Sequence, residues 1–385
     1  MRTIAVATFS RAEYSTCLPL LREIQSDSHL QLRLLVSGTH LSPEFGYTAK
    51  EIEADGFAID ERVEMLLSSD TPGGVVTSMG VGTIGLASSF SRCKPDILVL
   101  VGDRFELLAA ASAALAFRVP VAHVAGGDIT EGAVDNQVRY AVSMLSSLHF
   151  VAMQAHADRL IQMGEEEWRV FVTGEPALDM IRQMTLLNSA ELEERLRVQL
   201  RRPVILVTYH PTTLGDLTVE DETSALLEAL EGLDGTLIFS SPNADAQGKV
   251  IFQRIQSFIR DHVNAYFFAN LGQLLYYSLL AEADLMVGNS SSGIWEAPGF
   301  KLPVVNIGDR QKGRLRTPNV IDARPQGESI RDAINRGLSP AFRRSLSSLI
   351  NPYGDGLASQ RIVSALKDID LSSRILQKRF ISRNH

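Results

Sequence analysis

The sequence predicts an α/β protein of two similar domains, each a parallel sheet covered by helices. Three observations carry this. The chain has 385 residues, more than one core usually organises at about 100–200 residues per domain. Short apolar runs alternate with longer amphipathic segments, the mark of βαβ units. Some of the runs, such as ILVLV at 97–101, are apolar throughout, as strands buried on both faces are.

Taken in order, residues 3–8 read as the first strand and 14–25 as a helix. Residues 30–36 form the second strand, closed by Ser37-Gly38-Thr39-His40. A third strand is expected at 57–59, a long helix at 75–93, a buried strand at 97–101 and an Ala-rich helix at 106–117. A strand at 119–124, a helix at 134–148 and strands at 148–152 and 170–173 complete the first domain. Gly174-Glu175-Pro176 breaks the pattern. Residues 180–200 read as a charged helix capped at Asn188-Ser189. Strands at 204–209, 236–240, 265–268, 285–288 and 304–307, with one near 320–322, build the second domain. From Ala341 the tail reads as helical and is basic at its end. The expected division is 1–178, 179–358 and a C-terminal helix at 359–385.

Composition narrows the function. Apolar residues are 45% and charged residues 21%, which excludes disordered, collagen-like and coiled-coil chains. No apolar run reaches the roughly 18–20 residues of a membrane span, and MRTIAVATFS lacks the features of a signal peptide. Cys17 and Cys93 make no disulfide framework. A cytoplasmic protein with no membrane partner is expected. The net charge of −8 argues against nucleic acid, so contacts to an anionic ligand must be local.

Ligands of open α/β sheets bind outside the carboxyl ends of strands, and two such domains imply a cleft. The segments after the strands are therefore the candidates. Arg11 follows the first strand where a helix begins, placed for phosphate or simply solvated. Gly102-Asp103-Arg104 follows 97–101, and Asp103 also reads as a plain helix cap. Between Ala125 and Asp135, three glycines and three carboxylates (Asp128, Glu131, Asp135) fall within eleven residues. Such a cluster suits acid–base work or a hard cation, or is a polar surface loop. His123 reads as structural. His210 ends the first strand of the second domain, and Asn243 lies in a turn. Asn289-Ser290-Ser291-Ser292-Gly293 opens a helix as phosphate-binding loops do. Glu296, one turn on, could accept both hydroxyls of a ribose. Arg310 and Arg314 supply positive charge for a pyrophosphate. Gly80-Val-Gly82-Thr-Ile-Gly85 fits a dinucleotide fingerprint but lies inside a helix, so it is set aside, and there is no P-loop motif.

The segments SRAEYS (10–15), SGTHL (37–41), GDRFELLAAA (102–111), GGDITEGAVDNQVRYAVSMLSSLHF (126–150), HPTT (210–213), SPNADA (241–246), GNSSSGIWE (288–296) and NIGDRQKGR (306–314) resemble the UDP-N-acetylglucosamine 2-epimerases, specifically the hydrolysing branch. The resemblance implies a fold like that of GT-B glycosyltransferases, with two Rossmann-like domains and a C-terminal helix that returns to the first. It implies a UDP-sugar substrate, no metal, no NAD and a homo-oligomer, a dimer or tetramer. It places Arg11, Ser15, His210, Asn243, Ser290, Ser291, Glu296 and Arg310 against UDP. It makes Asp103 and Asp135 catalytic carboxylates, with Arg104 beside the first and His40 near the sugar. The implied reaction converts UDP-GlcNAc and water to UDP and N-acetylmannosamine. UDP is eliminated and a glycal-like intermediate is hydrated. Alternatives are the same reaction on the 2,4-diacetamido-2,4,6-trideoxy sugar and a non-hydrolysing epimerisation. One departure is Ala125, where some relatives carry Glu, with Asp128 or Glu131 as its replacement.

Overall fold

A computed structural model describes residues 1–69, 71–130, 134–211, 217–241, 248–269 and 271–381. The chain divides into two compact units. The first comprises the described residues of Met1–Ile129, Ala133–Arg182 and Tyr353–His385, the second those of Thr130–Gly132 and Gln183–Pro352.

The first unit is a parallel sheet of β1 (Arg2–Thr8), β2 (Leu30–Ser37), β3 (Glu61–Val63), β4 (Ile97–Val101), β5 (Val121–Val124), β6 (Leu148–Val151) and β7 (Val170–Val172), in the order β3-β2-β1-β4-β5-β6-β7. Every residue of β4 is buried, with Ala5, Ala7, Leu98 and Leu100 packing under Phe90 and Leu107. The second unit holds β8 (Val204–Thr208), β9 (Thr236–Ser240), β10 (Ala265–Phe268), β11 (Leu285–Gly288), β12 (Val304–Ile307) and β13 (Val320–Ala323), also parallel, in the order β10-β9-β8-β11-β12-β13. Its core joins Ile205, Val207, Phe239, Val287 and Val305.

In both sheets the strand order reverses beside the first strand, between β1 and β4 and between β8 and β11. Helices that leave neighbouring strands there cover opposite faces. The strand ends are thus left open, and a ligand is expected at that point.

Four expectations need correction. The third strand lies at Glu61–Val63 and pairs with Leu35–Ser37. Of the apolar trio at 57–59, Phe57 alone is buried. Pairing starts only after Asp60, which accepts from the Leu34 N–H at 2.8 Å and meets Arg33. The charged segment 180–200 is not one helix but two, Ala177–Gln183 and Ser189–Leu196. They are separated because Asn188 and Glu191 form a reciprocal capping box. Third, Thr71–Ser91 carries no charged side chain. The helix Pro72–Cys93 is, among the described residues, the one helix long and apolar enough to cross a bilayer. In this fold it packs against the helix Phe105–Ala116. A Cβ on Gly82 would stand 2.7 Å from Met65 Cε, and one on Gly85 2.5 Å from Val63 Cγ1. Two of the three glycines of the rejected fingerprint, Gly82 and Gly85, are thus packing hollows, while Gly80 faces open space.

In the first unit Asp179 accepts from the N–H groups of Ala358 and Ser359 at 2.9 and 2.6 Å. It thereby starts the helix Ala358–Asp368, which lies against the helix Arg11–Ser26. The fourth correction falls here: the helix expected over 359–385 ends at Asp368, and only a short turn at Ser373–Ile375 follows among the described residues. The Lys367–Asp27 ion pair, at 2.7 Å, joins the same two elements.

Candidate active site

At the switch point of the first unit the chain turns twice beside one another. β1 leads through Ser10, whose hydroxyl caps Glu13 N–H, into the helix Arg11–Ser26. β4 leads through Gly102, whose φ of +97° favours glycine, to Asp103 and Arg104. The N-cap of the next helix is Arg104, so capping does not account for Asp103. Asp103 instead makes an ion pair with the buried guanidinium of Arg139. Arg139 also stands 3.7 Å from Asp128. Asp135 begins the helix Asp135–Leu145, which carries Arg139 one turn on. Burial, and then the charge of Asp103, raise the Asp135 carboxyl above the ordinary range, while Arg104 and Arg139 oppose the shift. Arg104 reaches the fully buried Glu106 at 3.0 and 3.3 Å.

Two further groups complete this cluster. His123 is fully buried. Its Nε2 stands 2.7 Å from the Gly102 carbonyl oxygen and must carry the proton. Its Nδ1, 3.0 Å from Ser143 Oγ, accepts. Burial pushes its pKa down to about 3, so it is a neutral tie between the Gly102 turn and the helix Asp135–Leu145. Glu13 is buried, with the Phe9 backbone and the Thr8 hydroxyl beside its carboxylate. Burial, reinforced by Glu106, raises its pKa well above the ordinary range.

The start of the loop after β5, residues 125–129, is tied to its surroundings at several points. Ala125 takes a left-handed φ of +69°. A Cβ on Gly127 would come within 2.4 Å of the His156 carbonyl oxygen, and Arg159 donates to the Gly127 carbonyl. Asp128 Oδ1 accepts from Ile129 N–H at 2.8 Å and stands 3.4 Å from His156. Glu131 lies outside the described residues. His40 is in the interior, between the Thr8 and Thr48 hydroxyls at 3.1 and 2.7 Å, with burial lowering its pKa to about 4. Arg11 is half exposed, 3.3 Å from Glu51, and Ser15 follows it one turn along the same helix, half-buried.

The second unit uses neutral ties. Gly288 crosses behind Thr208 so closely that a Cβ would stand 1.9 Å from the Thr208 carbonyl oxygen. The buried Asn289 then accepts from His210 N–H at 2.8 Å and donates to the His210 carbonyl at 2.9 Å. Its own carbonyl accepts from Gln311 at 2.9 Å and Arg310 at 3.2 Å. Burial, and then Arg310, lower the His210 pKa to about 4. Ser290 Oγ accepts from Ser292 N–H at 3.3 Å. Ser291 starts the short helix Ser292–Trp295. Gly293 leaves room for Val304, which a Cβ would meet at 2.8 Å. Arg314 lies over the Trp295 ring at 4.5 Å and donates to Gln311 at 2.7 Å. Burial raises the Glu296 carboxyl, and Arg314 partly offsets this. Asn243 lies outside the described residues.

Within the first unit, then, Asp103, Arg104, Asp128 and Asp135 are brought together. Within the second, His210, Ser290, Ser291, Gly293, Glu296, Arg310 and Arg314 gather around β11. The sequence reading missed Glu13, Glu106, Arg139 and His156. One signal was available: Arg139 stands four residues after Asp135, on the same face of one helix. Among the described residues no group of three or more His, Cys, Asp or Glu is arranged to hold a metal ion.

Comparison with known proteins decides the family. The family model "UDP-N-acetylglucosamine 2-epimerase" matches residues 22–367. The chain belongs to this family. It is 40% identical, over 99% of both chains, to a Campylobacter jejuni protein named GDP/UDP-N,N'-diacetylbacillosamine 2-epimerase (hydrolyzing). It is 36% identical, over 98% of this chain and 99% of the other, to a Legionella pneumophila protein named UDP-N,N'-diacetylbacillosamine 2-epimerase (hydrolyzing). The fold matches the crystal structure of a Neisseria meningitidis UDP-GlcNAc 2-epimerase bound to UDP-GlcNAc, with a TM-score of 0.74 and 18% identity over 95% of this chain and 99% of that one. The two parallel sheets with their helices are the GT-B-like fold of these epimerases.

Proposed function

We propose that this chain is a hydrolysing nucleotide-sugar 2-epimerase acting on UDP-N,N'-diacetylbacillosamine, the 2,4-diacetamido-2,4,6-trideoxy sugar. The observation that carries the chemistry is the Asp103–Asp135 pair, two carboxylates with Arg104 and Arg139 around them. The near full-length identity to the two hydrolysing relatives supports the choice of sugar. The family description and the UDP-GlcNAc in the Neisseria structure favour UDP-GlcNAc as a second reading.

In the proposed reaction one carboxylate takes the proton from C2 as the C1–O bond to the diphosphate breaks. The electron pair of the C2–H bond forms the C1–C2 double bond, and the pair of the broken C1–O bond leaves with UDP. Water adds its oxygen to C1, and C2 receives a proton on the opposite face. The sum is substrate plus water to UDP plus the free 2-epimer. A carboxyl raised by burial and a like charge, as Asp135 is, holds a proton at a pH where an ordinary aspartate would not. Arg104 gives the region the positive charge that offsets a second carboxylate. Arg11, Arg310 and Arg314 are the cations for the leaving diphosphate, with Ser15, Ser290, Ser291 and Gly293 at the nucleotide. Asn243, in the SPNADA segment, joins them there. His210, neutral, donates a hydrogen bond, and Glu296 takes the ribose hydroxyls. Asp128, tied to Ile129, His156 and Arg139, anchors its loop, and Glu131 is the remaining stand-in for the glutamate absent at Ala125. The expected setting is a cytoplasmic homo-oligomer, and the proposed chemistry needs no cofactor.

The test is a proton NMR time course in D2O with each UDP-sugar. The proposal expects free UDP and a manno-configured sugar deuterated at C2, formed faster from the diacetamido substrate. Equal or faster turnover of UDP-GlcNAc would reverse the two readings. UDP binding without release of UDP from either sugar would sink both.

A further inference from the structure

A second structured region of the first unit lies outside the groups just described. It is the segment after the helix Ala358–Asp368. Arg169 is fully buried, and its guanidinium is spent on that segment. Nη1 donates to the Ser147 and Ile375 carbonyls at 3.0 and 2.7 Å, and Nη2 to the Arg374 and Gln377 carbonyls at 3.1 and 3.0 Å. Arg169 and Arg374 both lie over the Trp168 ring, at 4.2 and 4.7 Å. Further on, Phe380 covers Gly164 so closely that a Cβ there would stand 2.4 Å from the ring, and Ile381 N–H donates to the Gly164 carbonyl at 3.1 Å.

Between these anchors lies Lys378. Its ammonium donates to the Met144 and Ser146 carbonyls at 2.8 and 2.7 Å and pairs with the buried Glu165. The Ser143 carbonyl stands at 3.5 Å as well, so three N–H donors face four acceptors. Glu165 in turn stands 3.3 Å from the fully buried His149. Met144 and Ser146 are at the C-terminal end of the helix Asp135–Leu145. Carbonyls there have no partner inside their helix, and the helix dipole favours a cation at that end. Satisfying the end of a helix is ordinary. This helix, however, starts with Asp135 and docks on the Asp103 turn at two further points, through Arg139 to Asp103 and through Ser143 and His123 to Gly102.

We infer that Lys378 is a positioning residue: it fixes the helix Asp135–Leu145 from behind and so sets where Asp135 and Arg139 stand relative to Asp103. The inference rests on the epimerase reading for its effect on rate, but not for its effect on the helix. With Lys378 removed, the Ser143, Met144 and Ser146 carbonyls lose this donor and Glu165 keeps only His149, and the helix is held by its front contacts. Lys378 is remote from the reacting carboxylates, so its loss changes how well they are aligned rather than what binds.

The test compares K378M, which keeps the length of the side chain without its charge, with K378R, which keeps cation and donors. In K378M kcat is expected to fall about tenfold with KM within twofold, as small misplacements of reacting groups do, and K378R is expected to recover most of it. Amide hydrogen exchange at Val142–Leu145 is expected to quicken about tenfold in K378M and not in the helix Phe105–Ala116 of the same unit. An unchanged kcat with a lowered melting temperature would reduce Lys378 to a structural staple and overturn the inference, as would unchanged exchange. If the wild-type chain turns over no nucleotide sugar, the epimerase reading fails, and the exchange measurement still decides whether Lys378 holds the helix. If K378M does not fold, E165Q, which leaves Lys378 its carbonyl acceptors but weakens its anchor, carries the same two readouts with a smaller expected loss of about threefold.

Discussion

The two switch points are built on the same strand–loop–helix plan and filled with opposite chemistry. After β1, β4 and β5 the first unit collects Glu13, Asp103, Arg104, Glu106, Asp128, Asp135 and Arg139, of which Glu13, Glu106, Asp128 and Arg139 are buried and Arg104–Glu106, Arg139–Asp103 and Arg139–Asp128 are paired. After β8 and β11 the second unit relies on an amide side chain, Asn289, clasping the His210 backbone from both sides, with hydroxyls and arginines around it. A buried charge cluster tunes protonation at the expense of desolvation. A neutral clasp fixes backbone groups and leaves them uncharged whatever the pH. On the proposed function, the difference divides two tasks within one fold, moving protons and holding an anion.

Four experiments bear on this division, in order of expected effect. The largest is D103N or D135N, either of which should lower kcat by about 10²–10⁴-fold, the usual worth of a positioned acid or base, with UDP affinity nearly unchanged by calorimetry. A loss of UDP affinity instead would erase the division. Next is N289A, which strips a buried N–H and a buried carbonyl of their partners at about 1–3 kcal/mol each. It should lower the melting temperature and weaken UDP binding together, with less effect on the chemical step measured at saturation.

The third concerns pH. The folded pKa of His123, about 3, lies below the roughly 6.5 of an unfolded chain, so the unfolded state takes up the proton first. The stability that His123 contributes is therefore complete above pH ~6.5 and drains away as the pH falls towards 3. H123Q should flatten the fall in urea stability between pH 6.5 and 4. An unchanged slope would mean that the ring is not the neutral tie described. The smallest effect is E51Q: the Arg11–Glu51 pair is half exposed on both sides, and its loss should change stability by under ~1 kcal/mol, measured by urea titration.

Much of the fold was legible in the sequence because its strands are short, apolar and bounded by turns. The exceptions are local. The trio at 57–59 mimics a strand with one buried residue, and the capping box at Asn188 divides a segment whose composition is helical throughout. At the candidate site, Asp103, Arg104 and Asp135 were legible because they stand immediately after strands or open a helix. Glu13, Glu106, Arg139 and His156 were not, because a charged residue inside a helix ordinarily marks its wet face. Only the packing of four helices around β1, β4, β5 and β6 turns those residues inward. Lys378 was beyond reach for another reason: its partners are more than two hundred positions away along the chain.

The glycine-lined helix Pro72–Cys93 has a consequence for how the first unit assembles. It holds five glycines, each worth about 0.5–1 kcal/mol against helix formation relative to alanine. Its neighbour Phe105–Ala116 holds six alanines. The neighbour can form early from its own propensity. The glycine helix gains its structure only when Met65 and Val63 fill its hollows, so it should be late to form and among the first elements to open and reclose in the native protein.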